Sequence, residues 1–384
     1  MTPNARVAAA IAILDDVLAG APAEQALLRW SRASRFAGSG DRAAVRDLVF
    51  DALRRRGSWA ALGGGPDARA LMIGRLREEG IDPAAVFTGA GHDPLPLLDT
   101  EGYGDATVEP LRDIPHWLIP ILSNDLADDL ERFSQMIRDR APVWLRVNAR
   151  RGSPTEATAS LARDGVTASA HADWPSALEV TDGARRMTRA TAYVEGLVEL
   201  QDLSPQIACL SLPLADGDRV LDYCAGGGGK ALALAARARI DIEAHDADLD
   251  RMRDLPARAA RAGTPVKPVD RPDGLYDLVV ADVPCSGSGT WRRTPDAKWR
   301  LTSERLAELV ALQTAIVSQA ADHVRPGGHL AYMTCSVIRA ENDGIVDQFL
   351  DARDDFTLVS RDLLLPPKGS DGFFHALLRR TEDG

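Results

Sequence analysis

Arg219-Val-Leu-Asp-Tyr-Cys-Ala-Gly-Gly-Gly-Gly-Lys230 is the stretch on which the reading of this chain turns. Residues 219–223 have the apolar character of a buried strand, the four glycines mark a turn, and the alanine-rich run 230–239 has the character of a helix. Gly226, Gly228 and Ala231 satisfy a G-x-G-x-x-A spacing. Glycines there permit a tight turn and bring the backbone close to a nucleotide. A magnesium-nucleotide P-loop is excluded, because Cys224 breaks the pattern and Ala231 stands where a serine or threonine would hold the metal. Asp246 closes the next strand, read over 240–245, at the place where a carboxylate can accept hydrogen bonds from both ribose hydroxyls. Cys224, Ala225, Gly226, Gly227, Gly228, Lys230 and Asp246 are therefore candidate adenosine-cofactor residues, and Asp270, after a short third strand at 265–269, is the candidate for the adenine amino group.

Working outward, strands and helices alternate to the end of the chain. A helix is expected over 248–261, strands over 277–281 and 329–334, helices over 303–324 and 341–351, and two late strands. Such alternation makes an α/β, doubly wound, mostly parallel sheet, here spanning 204–384. Before it, strand patterns at 142–148 and 177–180 flank a helix at 155–164, a small α/β module within 113–203. Residues 1–112 read as an all-helical domain, with turn-rich stretches at 63–66 and 89–105. Within it, Val45, Leu48, Val49 and Leu53 line one helix face between Asp41, an expected N-cap, and Gly57, an expected stop. Arg54, Arg55 and Arg56 would then offset the helix dipole.

The 384 residues are enough for two or three domains. No apolar run approaches the ~18 residues that span a bilayer. The apolar stretch 7–14 meets Asp15 and Asp16 at once, so it reads as a helix face rather than a signal peptide. A cytoplasmic monomer is expected. The four cysteines, Cys209, Cys224, Cys285 and Cys335, are widely separated, without zinc or redox-pair spacing. Each is either a core residue or a reactive thiol; neither they nor the histidines propose a metal. The net charge of −11 is unlike that of most nucleic-acid-binding proteins. Phosphate contacts act over about 8 Å at physiological salt, however, so local clusters count for more than the sum. Three stand out: Arg185/Arg186/Arg189, Arg146/Arg150/Arg151, and Arg292/Arg293/Lys298/Arg300.

Asp282-Val-Pro-Cys285-Ser-Gly follows the fourth strand of the large sheet and Thr334-Cys335-Ser336 the fifth. Ligands of doubly wound sheets bind outside the carboxyl ends of the strands, near the point where strand order reverses. The glycine turn, Asp282, Cys285 and Cys335 should therefore share one crevice. Two inert core cysteines is the competing reading. A nicotinamide-dependent oxidoreductase would share the glycine turn and Asp246 but leaves both cysteine motifs unexplained.

With these motifs in view, the chain resembles the RsmB/NOL1/NOP2/Sun family of RNA cytosine-5 methyltransferases over roughly its last 240 residues. Further matching stretches are Leu145-Arg-Val-Asn148, Leu200-Gln-Asp202, Arg293-Thr-Pro-Asp-Ala-Lys-Trp299, Glu341-Asn342 and Asp371-Gly-Phe-Phe374. The helical front resembles a shortened NusB-like domain of the RsmB branch. Gly226 and Gly227 replace the family's alanine and proline, which should loosen the turn. The resemblance implies a class I methyltransferase fold, S-adenosylmethionine as cofactor, and RNA as partner, with 16S ribosomal RNA favoured and tRNA the alternative. A non-catalytic RNA-binding factor on the same fold is opposed by the intact Lys230, Asp282, Cys285 and Cys335.

The chemistry implied needs these residue types. Carbon 5 of cytosine is a poor nucleophile until a thiolate adds to carbon 6, and a thiol, with an unperturbed pKa near ~8.5, both adds and leaves readily. A carboxylic acid near N3 must neutralise the ring; Asp282 fits, with Lys230 to orient it. Either cysteine reaches the crevice. The family resemblance implies Cys335 as nucleophile and Cys285 as the residue that assists release. Arg146, Asn148 and Arg293 are the candidate RNA contacts, and the target base must leave any stack to be reached.

Overall fold

The computed structural model describes residues 1–101, 104 and 109–382. Part of the turn-rich stretch 89–105 (residues 102, 103 and 105) lies outside the described residues. The chain forms two compact units: Met1–Arg140 with Thr290–Thr302, and Ala141–Gly289 with Ser303–Gly384.

In the first unit, helices run Pro3–Leu18, Ala23–Ala33, Ser39–Arg54, Arg56–Gly63 and Ala68–Glu78. They enclose Leu14, Val49, Leu53, Trp59, Leu71 and Ile73 in one core. Two expectations are corrected. Asp41 is not the N-cap; the helix begins after Gly38, and Asp41 in its first turn accepts from the Gly38 amide (3.2 Å). Gly57 does not end the helix but lies inside the next one, where a side chain would collide with the Arg112 carbonyl.

The Thr290–Thr302 segment packs into this unit through its own side chains. Trp291 is fully buried, its ring centroid 6.3 Å from that of Phe133. The last carbonyls of a helix lack intrahelical donors; here Trp299 donates Nε1–H to Leu53 O (2.7 Å) and Lys298 donates Nζ–H to Arg54 O (2.8 Å). Arg54 in turn donates to Arg292 O (2.8 Å) and pairs with Asp51 (2.7 Å). Arg54 is therefore a buried link rather than an exposed dipole counter-charge. Burial pushes the Lys298 ammonium down to about 7. Lys298 and Arg292 are both buried, Arg293 is half-buried and Arg300 exposed, so only part of the basic cluster read over 292–300 is open to solvent.

The second unit holds two sheets. Strands β1 (Val143–Val147), β2 (Thr167–Ala170), β3 (Ala177–Asp182) and β4 (Val198–Leu200) pair antiparallel in the order β2-β3-β1-β4. The helix Pro154–Arg163 begins in a reciprocal capping box between Ser153 and Glu156. Strands β2 and β4 have no strong apolar alternation and were not anticipated.

The large sheet comprises β5 (Arg219–Asp222), β6 (Asp241–Ala244), β7 (Lys267–Pro268), β8 (Tyr276–Asp282), β9 (Val324–Thr334), β10 (Phe356–Leu364) and β11 (Phe373–Arg380). Its order is β10-β11-β9-β8-β5-β6-β7, parallel from β5 to β9, with β11 antiparallel to both of its neighbours. Successive strand residues face opposite sides. Val220, Leu278, Val280 and Met333 accordingly pack with Leu203, Ala231 and Leu234, while Leu221, Val279, Ala281 and Tyr332 pack with Val317, Ile345 and Phe349. Both faces are covered, which is why the central strands read as unbroken apolar runs. The helix expected over 248–261 is broken into a short turn, Leu249–Met252, and a helix, Leu255–Ala262, with Pro256 in its first turn.

Candidate active site

Tyr223–Gly228 links β5 to the helix Gly229–Arg237. Gly226 and Gly228 take φ of +48° and +76°, the left-handed region where a side chain is strained. The turn is held from three sides: Ala225 N–H donates to His245 O, Gly226 N–H to Asp246 Oδ2 (2.9 Å), and the Arg258 guanidinium to Gly227 O. Arg258 itself pairs with buried Glu199 (3.4 Å). The glycines at 226 and 227 thus do not leave the turn loose; polar contacts pin it instead.

Asp222, at the end of β5, is the residue beneath the turn that the motif reading passed over. Its Oδ2 accepts from Ala231 N–H (3.0 Å), and its Oδ1 is buried with no partner among the described residues. Burial, against the attraction of Lys230 and reinforced by Asp282, pushes this carboxyl up to about 7. Cys224 is half-buried, and burial followed by the charges of Asp222, Asp282 and Asp246 pushes its thiol up, so it is no ready nucleophile. Cys209 is core, its thiol raised to about 11 by burial. Asp246 stands at the end of β6 as expected, but its oxygens already accept from Gly226 N–H, Asp248 N–H (3.0 Å) and Arg251 Nη1 (3.0 Å). Asp270 is exposed after β7.

Lys230, in the first turn of the helix after the glycines, forms an ion pair with Asp282 at the end of β8. Burial opposes its charge most, but Asp282, Cys209 and Asp222 together outweigh it and raise the lysine pKa. Cys285 and Cys335 follow the adjacent strands β8 and β9, and their sulfurs lie 3.4 Å apart. The hydrogen bond to Cys335, then burial, hold Cys285 well above the usual thiol range.

A polar web joins the two cysteine loops. Gly289 N–H donates to Cys335 O (3.0 Å), Ser288 and Ser336 hydroxyls lie 2.9 Å apart, and Thr334 and Asn342 side chains meet at 2.6 Å. Glu341, fully buried, accepts from both loops. It carried no role in the sequence reading beyond its place in a matching motif.

The candidate RNA contacts fare differently. Asn148 is buried, donating to Gly196 O (3.1 Å) and Ala262 O (2.8 Å) while its Oδ1 accepts from Arg150 N–H (3.1 Å); it braces a corner rather than facing solvent. Arg146 is also buried, its Nε donating to Gln201 Oε1 (2.6 Å), and burial lowers its pKa to about 10. Arg150 and Arg151 spend donors on Ala238, Arg261 and Ala262 carbonyls. Arg293 is half-buried in the segment belonging to the first unit. Arg185, Arg186 and Arg189 remain exposed on the short turn Ala184–Arg189, around buried Met187. Among the described residues no cluster of histidine, cysteine, aspartate and glutamate could hold a metal, and no helix is long and apolar enough to cross a membrane.

Two family models match the chain: the 16S rRNA methyltransferase RsmB/F over residues 209–379, and an RsmF/B-like ferredoxin-like domain over 114–185. The chain is similar to the ribosomal RNA small subunit methyltransferase B of Xanthomonas campestris, 33% identical over 334 residues that cover 80% of this chain and 74% of that protein. It is similar also to the protein of that name in Klebsiella pneumoniae, 31% identical over 69% of this chain, a match that spans only 65% of the relative's length. Among solved structures, PH0851 has a TM-score of 0.76 at 24% identity, with 99% of each chain covered.

Proposed function

This chain belongs to the 16S rRNA methyltransferase RsmB/F family, and on that footing we propose that it transfers a methyl group from S-adenosylmethionine to carbon 5 of a cytosine in RNA. Small-subunit ribosomal RNA is the substrate class its relatives point to. The observation that carries the chemistry is the 3.4 Å approach of the Cys285 and Cys335 sulfurs at the ends of adjacent strands, beside the Lys230–Asp282 pair. A nicotinamide enzyme has no use for that arrangement.

The residues present fit the cofactor. The pinned glycine turn offers backbone to a nucleoside, Asp246 offers a carboxylate once Arg251 yields, and the orphan Oδ1 of Asp222 is an acceptor suited to a cationic ligand. Bound there, S-adenosylmethionine supplies an electrophilic methyl carbon. The chain supplies the rest. The Cys335 thiolate bonds to carbon 6, pushing the ring's electrons toward N3, which takes up a proton handed from the paired Lys230 ammonium through Asp282; carbon 5 becomes nucleophilic. After methylation, N3 returns its proton to the Lys230–Asp282 pair, water takes the carbon 5 proton, and the returning electrons expel the Cys335 sulfur as thiolate and restore the ring, with Cys285 assisting that release. The hydrogen bond to Cys335, then burial, raise the Cys285 thiol and favour its protonated form.

Substitution separates the roles. Cys335→Ala should abolish methyl transfer, whereas Cys285→Ala should accumulate a denaturant-resistant protein–RNA adduct, seen as a slow band on a denaturing gel. Normal turnover in Cys335→Ala would sink the assignment. Bisulfite sequencing of RNA from a deletion strain, compared with its parent, reads out the modified base and the RNA that carries it.

A further inference from the structure

Glu341 ends the short turn Arg339–Glu341 after β9 and is completely buried. Four hydrogen-bond donors meet its carboxylate. Its Oε1 accepts from Ser286 N–H (2.8 Å) and Gln313 Nε2 (2.9 Å); its Oε2 accepts from Ser286 Oγ and Ser336 Oγ, each at 2.5 Å. All four partners are donors, the complement of an acceptor-only carboxylate. Such hydrogen bonds are roughly twice as strong as neutral ones, and a buried carboxylate left without them is costly.

The identity of the donors matters. Ser286 follows Cys285 directly and Ser336 follows Cys335 directly, so one carboxylate grips the residue next to each sulfur. Gln313, on the long helix Ser303–Ala321, ties the same oxygen to the Pro284 carbonyl (2.9 Å), on the other side of Cys285. Tyr332 Oη donates to the Glu341 carbonyl (2.6 Å), anchoring the turn to β9 itself.

We propose that Glu341 is the positioning residue of the active site: by accepting from Ser286 and Ser336 at once, it sets the separation of the two sulfurs that attack on and release from the base demand. The proposal deepens the cytosine methyltransferase reading and rests on it for its catalytic meaning, though its geometric part does not. Glu341 touches neither sulfur and is not itself a catalytic residue. Its negative charge, next to Ser286, is also among the influences that keep Cys285 protonated, after the Cys335 hydrogen bond and burial.

Disulfide closure by diamide tests the geometry without any methyl transfer. Diamide takes both thiol hydrogens as the Cys285–Cys335 bond forms and is itself reduced to the hydrazine. Closure is read by peptide mapping and by the free-thiol count, which falls from the four of the native chain to two. Glu341→Ala should close about tenfold more slowly than the native protein, and Glu341→Gln, which keeps one acceptor oxygen, should fall between them. In turnover, Glu341→Ala should lower kcat by about a hundredfold, with S-adenosylhomocysteine affinity and the KM for S-adenosylmethionine unchanged. Should Glu341→Ala fail to fold, Ser286→Ala removes a single hydroxyl contact and should slow closure about threefold. Closure as fast as native or faster in a folded variant overturns the proposal, as does parallel loss of kcat and cofactor affinity. If Cys335→Ala keeps its activity while Glu341→Ala closes slowly, the cytosine reading falls and the positioning role stands; the opposite pair of results removes only the positioning role.

Discussion

Asp222 shows what a single side chain contributes when it is sealed beneath a cofactor turn. One oxygen is held by the Ala231 amide, the other has no donor among the described residues, and two more carboxylates, Asp282 and Asp246, add their repulsion to the dominant cost of burial. A carboxyl that titrates near 7 when folded, against 3.8 when unfolded, binds a proton that the unfolded chain has already released. The stability this provides is complete below about pH 4 and is lost as pH rises through about 7. Asp222→Asn keeps the bond to Ala231 and cannot titrate, so its unfolding free energy should decline less than that of the native protein between pH 5 and pH 8. The difference should be about 3 kcal/mol at most, read from urea midpoints across that range. Parallel pH curves for the two proteins would show that Asp222 is not the titrating group. A cationic ligand meeting Oδ1 adds a second readout. Its affinity should rise with pH over the same window in the native protein and stay flat in Asp222→Asn.

At the scale of the element, the strand ends of the large sheet were legible because their signals are local. Continuous apolar runs announce β5, β8 and β9, the glycines announce the turn, and Cys285 and Cys335 stand just past the runs that carry them. Their convergence then follows from the rule for parallel sheets. What could not be read has partners far along the chain. Asn148 looked like an exposed amide after a strand, yet it holds the carbonyl of Ala262, the last residue of the Leu255–Ala262 helix. Lys298 looked like surface charge, yet it caps another helix. No local pattern encodes a backbone acceptor more than a hundred residues away. The distinction has a measurable consequence. Asn148→Ala strands the Gly196 carbonyl and the Arg150 amide, leaves the Ala262 carbonyl only longer bonds from Arg151 and Thr264, and should cost about 3 kcal/mol of stability. Since the residue neutralises no phosphate, the slope of RNA affinity against salt should not change. Weaker RNA affinity at fixed salt, with native stability, would restore Asn148 as a contact. The same titration on Arg189→Ala, in the exposed cluster, should give a slope smaller by about 0.7–0.9 if that arginine meets a phosphate.

At the scale of the whole molecule, the chain leaves the second unit after Gly289, only a few residues past Cys285, and re-enters it at Ser303. The intervening residues are core material of the helical unit: Trp291 fills space beside Phe133, while Lys298 and Trp299 satisfy the last carbonyls of the helix Ser39–Arg54. The helical unit therefore lacks part of its own interior until the second stretch of chain, synthesised far later, is in place. Trp291→Ala isolates this dependence. Removing a fully buried indole leaves a cavity and should destabilise the helical unit by about 3–5 kcal/mol. The glycine turn, Lys230, Asp282 and both cysteines belong to the other unit, so S-adenosylhomocysteine should still bind the variant and still raise the melting temperature of the transition that carries those residues. Calorimetry with and without the ligand, together with hydrogen exchange to assign the melting segments, distinguishes the outcomes. Early exchange confined to residues 1–140 and 290–302 is the expected result. Uniform loss of protection across both units, with loss of ligand binding, would mean that the chain unfolds as one cooperative body and that the segment does not serve the helical unit alone.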